Sequence, residues 1–306
     1  MEPPFPFLGE LLALVAATGF ALANVTISLG AVRKKGDNGA LLSVMATGVV
    51  ASIAWVLLGA PLSLDQARTI LAIGLAWFVL SGLLTTVFGR IFLFRSIQEV
   101  GVVRASALKR LTPFFSVILA WAILGEIVTG AMAVGMVLIA IAFTVIVRRG
   151  MNAAATSAAG GTSMRQLVPG PISAMCYAFG YITRKFGLDH IPDATFGTLV
   201  SSIGALAYYV LAAPFVADYR RAFREAFTSV NRWQLLSAGL ISVGQISQFA
   251  ALQYSEISRV VMITSLETFI SMFFAVVVLK TERRPDAMMM GAAALATGGV
   301  VLVSFG

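Results

Sequence analysis

Residues 90–126 read RIFLFRSIQEVGVVRASALKRLTPFFSVILAWAILGE, and this stretch has a similar counterpart in the second half of the chain. Residues 92–124 align without a gap on residues 247–279, so that VVRASALKRLTPFFS (102–116) lies over ISRVVMITSLETFIS (257–271). The alignment pairs Arg104 with Arg259, Leu111 with Leu266 and Ser116 with Ser271. One inserted residue later, GEIVTGAMAVG (125–135) lies over TERRPDAMMMG (281–291), pairing Glu126 with Glu282 and Gly135 with Gly291. LLGAP (57–61) is likewise echoed by LAAP (211–214). Matches in one order at one nearly constant offset mark an internal repeat.

Outward from that repeat, the chain reads as membrane throughout. It has 306 residues, 58% of them hydrophobic and only 12% charged, with a mean hydropathy of +0.90, far from the composition of soluble domains. A helix of roughly 20 apolar residues crosses about 30 Å of hydrocarbon. The apolar runs are continuous and lack the two-residue alternation of a barrel strand, so helices are expected. Spans are expected at 8–31, 39–60, 69–94, 101–125, 129–147, 166–186, 195–216, 233–253, 257–279 and 287–304. Short connections make neighbours antiparallel. Between the fifth and sixth spans lies NAAATSAAGGTS (152–163), whose small, polar composition suits a flexible linker. The expected organisation is therefore 1–148 as the first repeat, 149–165 as linker and 166–306 as the second repeat. An odd number of spans per repeat makes the halves enter the membrane from opposite sides, the inverted arrangement of many secondary transporters. The fold class expected is all-α integral membrane, ten transmembrane helices in two inverted five-helix repeats around a central cavity.

The segment 90–126 also resembles the third-to-fourth helix region of EamA-type proteins in the drug/metabolite transporter (DMT) superfamily. An aromatic- and Ala-rich helix end is followed by a small-residue helix, a proline (Pro113) and a closing Gly125-Glu126. The resemblance covers nearly the whole chain as two five-helix units. It implies a ten-helix basket whose cavity is lined mainly by helices 1, 3, 4, 6, 8 and 9, and an exporter or exchanger of amino acids, metabolites, nucleotide sugars or organic phosphates. Two departures stand out. Lys109-Arg110 occupies a place where the family has small or apolar residues, and Glu267-Thr268 replaces Glu-Pro, which would remove the kink from the second half.

The excess of basic residues is one-sided. Arg33, Lys34, Lys35, Arg95, Arg104, Arg148, Arg149, Arg165, Arg220, Arg221, Arg224, Arg232, Lys280, Arg283 and Arg284 fall on one side of the expected spans; Arg68, Arg184, Lys185 and Arg259 fall on the other. Because Lys and Arg mark the cytoplasmic side, both termini are expected in the periplasm, whereas the resemblance implies cytoplasmic termini. Residues 1–10 carry acids and no basic segment, so no cleavable leader is expected there. ADYRRAFREAF (217–227) reads as an interfacial helix.

An ionisable residue inside hydrocarbon is costly and usually faces a cavity or a partner. Lys109 and Arg110 lie more than a turn inside the fourth span, where Pro113 cannot donate to the Lys109 carbonyl. Two cations beside a kink would suit a carboxylate or phosphate, or else snorkel to the headgroups. Glu267, ten residues into the ninth span, is a candidate coupling residue or an ion-pair strut. Arg90 and Gln245 hold equivalent positions, and with Gln248, Asn24, Tyr177 and Tyr181 complete the candidate substrate-binding set. Pro113 is the candidate hinge. Arg184 and Lys185 are expected at the aqueous rim, and Glu126 and Glu282 as caps of the helices that follow them.

Cys176 and His190 are the lone cysteine and histidine, which leaves no material for a disulfide framework or a His/Cys metal site. No cofactor is expected, and no nucleic-acid partner: the basic residues cluster at the ends of apolar runs, where headgroups lie. No GxxxxGK[ST] loop is present, which excludes an ATP-driven pump of that type. The function expected is alternating-access transport of a small anionic or zwitterionic metabolite in the inner membrane, the chain being a monomer or homodimer among membrane lipids. A lipid or lipid-linked-intermediate translocase of the same fold is the alternative, and a membrane enzyme is disfavoured.

Overall fold

The computed structural model describes residues 6–30, 39–59, 68–155, 164–275 and 287–305. Every regular element among them is helical, the form in which a segment satisfies its own backbone groups without water. In order these are α1 (Leu8–Gly30), α2 (Ala40–Leu58), α3 (Arg68–Gly82), a π-helical segment (Leu83–Phe88), α4 (Gly89–Val100), α5 (Val102–Lys109), α6 (Thr112–Leu119) and a second π segment (Ala120–Leu124). There follow α7 (Gly130–Ala155), α8 (Met164–Leu167), α9 (Pro169–His190), α10 (Ala194–Ala212), α11 (Ala217–Thr228), α12 (Arg232–Tyr254), α13 (Ile257–Thr264), α14 (Glu267–Phe273) and α15 (Ala287–Phe305).

Leu8–Ile27, Ala40–Leu58, Arg68–Val100, Ala194–Ala212 and Arg232–Tyr254 are long and apolar enough to cross a membrane by themselves. The remaining expected spans depart from that form. The fourth and ninth are broken in the middle, and the sixth, α9, carries Arg184, Lys185 and Asp189. α7 runs on to Ala155, well past the expected limit, because Ala153 to Ala155 are strong helix formers. Residues 156–163 of the expected linker lie outside the described residues, as do the basic loop residues Arg33, Lys34, Lys35, Lys280, Arg283 and Arg284, and Glu282.

The two halves pack as a two-fold repeat requires. α1 lies on α12 while α9 lies on α3, and α2 lies on α12 while α10 lies on α3; α2 also meets its own counterpart α10, and α7 its counterpart α15. Small residues set the closest approach. A Cβ added to Gly135 would collide with the Gly299 carbonyl, and one added to Gly299 would collide with the Gly135 carbonyl. Gly135 and Gly299 thus let the α7 and α15 backbones approach closely within the chain. Gly291 and Gly298 face open space. Hydroxyls supply further ties between helices: Ser201 Oγ donates to the Phe78 carbonyl at 2.8 Å, Ser173 Oγ to that of Gly89 at 2.7 Å and Ser81 Oγ to that of Gly180 at 3.1 Å.

The breaks in the fourth and ninth spans fall at equivalent positions. Leu111 N–H donates to the Leu108 carbonyl and Leu266 N–H to that of Ile263, each a tight three-residue turn in place of the four-residue α-helical bond. In the first half Pro113 explains the interruption. The second half breaks without a proline, contrary to the expectation drawn from Glu267-Thr268. Ser265 Oγ bonds back to the Met262 carbonyl at 2.5 Å, taking an acceptor that the continuing helix would use, which is the local competition that disfavours serine in helix interiors.

α11 is amphipathic. Phe223 packs toward the cluster around Leu41 and Tyr209, while Arg220, Arg221 and Arg224 are exposed and Phe227 is 75% exposed. That is the pattern of a helix lying along headgroups.

Candidate functional site

α9 presents Tyr177, Tyr181 and Arg184 at helical spacings of four and three, so they share one face. That face looks into the bundle. Arg184 is 2% exposed, which corrects its expected place at the aqueous rim. Its Nε donates to Ser81 Oγ at 3.1 Å and its Nη1 to Gln248 Oε1 at 2.8 Å. Nη2 donates to Gln245 Oε1 at 3.0 Å and Thr85 Oγ1 at 3.4 Å. The Phe249 and Tyr181 rings lie 4.4 and 5.4 Å from the guanidinium carbon, contacts of the cation–π kind. One cation thus joins α3, its π segment, α9 and α12. Every one of these partners is neutral. Lys185 points elsewhere and donates to the Leu252 carbonyl at 2.9 Å.

Beside Arg184 is a small cavity whose wall includes Ser43, Thr86, Arg90, Ser201, Ser202 and Gln245. At about 20 Å³ it has room for a water-sized occupant, so a metabolite can enter only if the helices part. Arg90 stands on this wall and donates to Ser43 Oγ at 3.4 and 3.5 Å. These bonds are long and leave the guanidinium weakly held. Thr85 and Thr86 come from the π segment, a local widening that frequently marks functional sites in helices.

Lys109 and Arg110 lie next along the bundle, where α5 breaks. Lys109 Nζ sits 5.0 Å from the centre of the Tyr177 ring, and the Arg110 guanidinium lies 5.1 Å from that of Phe143. Arg110 donates to Thr268 Oγ1 in the opposite half. Glu267 is near enough to act electrostatically on both cations, yet no direct ion pair joins it to either among the described residues. The Lys109 carbonyl, which Pro113 leaves without its usual donor, is not vacant: Thr112 Oγ1 donates to it at 2.7 Å.

The structure therefore places Arg90, Tyr181, Gln245 and Gln248 about Arg184, and Lys109, Arg110 and Glu267 adjoin this group on the side of Tyr177 and Tyr181. Tyr181 bridges its parts, since Gln248 Nε2 donates to its hydroxyl at 3.5 Å. Pro113 is buried at the start of α6. Asn24 is the exception. It is exposed on α1 and is not part of the cavity wall, because α1 packs through its alanine stripe (Ala13, Ala16, Ala17 and Ala21, all fully buried). The serines and threonines of the wall were missed from sequence. Isolated hydroxyls in apolar runs look like helix glue, and the run Thr198, Ser201, Ser202 was the available signal.

Glu126 is also corrected. Its Oε1 accepts from Ile257 N–H at 2.8 Å, and its Oε2 from Ser258 N–H at 3.0 Å and from Ser258 Oγ at 2.6 Å. It caps α13 of the other half, not the helix that follows it. Nearby, Arg259 lies 3.8 Å from Glu10 and 3.4 Å from Glu256. One end of the bundle is thus pinned by polar contacts between the halves.

Comparison with known proteins agrees with the two-fold packing. Residues 7–148 and 170–305 each match the sequence model of the EamA-like transporter family. A solved crystal structure superposes with a TM-score of 0.65 at 16% sequence identity, over 97% of this chain and 95% of that one; this likeness speaks to the fold alone. No curated protein matches.

Proposed function

From the premise that the chain belongs to the EamA-like transporter family, and is thus a multi-pass membrane transporter of the DMT superfamily, we propose that it moves a small anionic or zwitterionic metabolite by alternating access. One observation carries the reading: Arg184, 2% exposed, is held beside a polar cavity by groups that are all neutral among the described residues. A guanidinium in a low-dielectric interior without a counter-charge attracts an anion strongly. Solute charge supplies what the protein withholds. Rocking of the halves about the breaks near Pro113 and Ser265 opens the cavity, and Glu267 competes with the solute for Lys109 and Arg110, so that binding and release are linked.

A thermal-shift screen of the purified protein tests this. Anions or zwitterions at about 100 times their Kd raise stability by roughly 2.7 kcal/mol, and Lys109→Gln diminishes the shift. Equal stabilisation of both proteins by cations or apolar drugs would remove the reading. Stabilisation by lipid alone would replace it with lipid translocation.

A ten-crossing path, together with the charge bias, supports an orientation. With Arg184 inside the bundle, Arg68, Lys185 and Arg259 are the basic residues left on the side of the termini, against the clusters around Arg148 and Arg220 on the other. By the positive-inside rule the termini face the periplasm of an inner membrane. A reporter fused after Gly306 that is active only in the cytoplasm should be silent; an active one reverses the orientation.

A further inference from the structure

The charges gathered at the site are unequal, and the imbalance constrains the solute further than the anionic or zwitterionic reading on which this inference rests. Arg90 on α4 and Arg184 on α9 stand on one cavity wall, and Lys109 and Arg110 lie at the α5–α6 break on the other side of Tyr177 and Tyr181. Lys109 is near enough to Arg90 to be repelled by it and to Glu267 to be attracted. Arg110 feels Glu267 as well. Arg184 meets tyrosines, glutamines, hydroxyls and a phenyl ring, with no carboxylate. Glu267 is the sole acid of this neighbourhood among the described residues, and it cannot neutralise this many cations. Among the other described acids, Glu126 is engaged on α13, Asp193 caps α10, Glu99 pairs with Arg95, Glu10 and Glu256 lie near Arg259, Asp189 is exposed at the end of α9, and Asp218 and Glu225 belong to α11.

The cavity wall has the same bias. Ser43, Thr47, Thr86, Thr198, Ser201 and Ser202 give it hydroxyls, Arg90 and Arg184 give it cations, and no carboxylate lines it among the described residues. Hydroxyls and guanidinium groups satisfy an oxygen-rich anion well. An ammonium group brought there would lose its water, find no negative partner and face fixed positive charge, which is a large cost in such an interior.

We propose that the solute is a small hydroxylated polyanion without a cationic group, a hydroxy-dicarboxylate or a phosphate monoester, and that ammonium-bearing amino acids are rejected. Two charges on the solute match the two cations of the cavity wall, Arg90 and Arg184; a single one leaves part of that charge unmet. Arg90, weakly tied to Ser43, is the group free to turn toward the second charge.

Matched probes decide the matter. Malate and aspartate share a skeleton and differ by hydroxyl against ammonium; glycerate and serine form the same pair with one carboxylate. Dissociation constants are measured by thermal shift on the full chain for these compounds and for glycerol 3-phosphate, with choline as the cationic control. Malate or glycerol 3-phosphate should bind at least about tenfold more tightly than aspartate, glycerate more weakly than malate, and serine and choline not at all. Whichever of malate and glycerol 3-phosphate binds better assigns the anion as carboxylate or phosphate. In Arg90→Gln, whose lost bonds are too long to be essential for folding, the advantage of malate over glycerate should shrink to about threefold or less. Aspartate equal to malate, or serine equal to glycerate, overturns the rejection of ammonium while leaving the anionic reading in place. An unchanged malate-to-glycerate ratio in Arg90→Gln overturns the polyanion. Stabilisation by choline alone, or by none of the compounds, overturns both this inference and the function beneath it.

Discussion

In Arg184→Met, transport in proteoliposomes should fall at least about a hundredfold while the protein still folds. The two effects are separable by size. The side chain's hydrogen bonds to Ser81, Thr85, Gln245 and Gln248 join helices in a membrane, where such bonds average only about 0.6 kcal/mol each. Their loss lowers the melting temperature by a few degrees without unfolding the bundle, and methionine fills much of the vacated volume. Removing the charge deprives a bound anion of a charge-assisted contact worth roughly 1.5–3 kcal/mol, and it also empties a low-dielectric cavity of its main attraction. Arg184→Lys is the informative partner. It keeps the charge but loses the planar fork that reaches α3 and α12 together, so affinity should return in part, to within about tenfold of wild type. Paired stability and transport measurements on both variants check this. A transport rate in Arg184→Met near that of wild type would make Arg184 a structural clamp between helices.

Glu267→Gln is expected to do the reverse: tighter binding and slower turnover. The carboxylate acts on Lys109 and Arg110 without a direct ion pair, the geometry of a counter-charge that yields to a solute. Neutralising it removes a competitor, so the KM for an anion should drop about tenfold. Release then has no internal anion to assist it, and the maximal rate should fall by a similar factor, about tenfold. If Glu267 also carries a proton during the cycle, the pH dependence of net transport should flatten in the glutamine variant while exchange of solute for solute is less affected. Initial rates of net transport and of exchange, each followed across pH in both proteins, separate these outcomes. Unchanged KM, maximal rate and pH profile together would leave Glu267 no part in coupling.

The repeat was legible before any coordinates. Arg104 over Arg259 and Ser116 over Ser271 placed the fourth and ninth spans in register, and the structure returns that register in matched tight turns at Leu111 and Leu266. Much of the site was legible too, since Arg90, Lys109, Arg110, Gln245, Gln248 and Glu267 are polar or charged residues in runs where hydrocarbon makes such groups expensive. Distance from a helix end misled the reading of Arg184. A cation near the end of α9 resembles a snorkelling residue until the opposing helices are seen to meet it with amides and hydroxyls. Its spacing from Tyr177 and Tyr181 was the clue.

Sequence alone determined the membrane character, the helical class and the two-fold repeat, because each follows from local chemistry: the cost of burying a backbone or a charge in lipid, and the identity of residues at a fixed offset. Tertiary structure decided which polar residues converge, that Asn24 stays outside while Arg184 goes in, and that Glu126 caps a helix of the other half. It also decided that the ninth span breaks without a proline. These depend on which helix faces which, and a helix's partners are set by the packing of small residues such as Gly135 against Gly299, which no single segment specifies by itself.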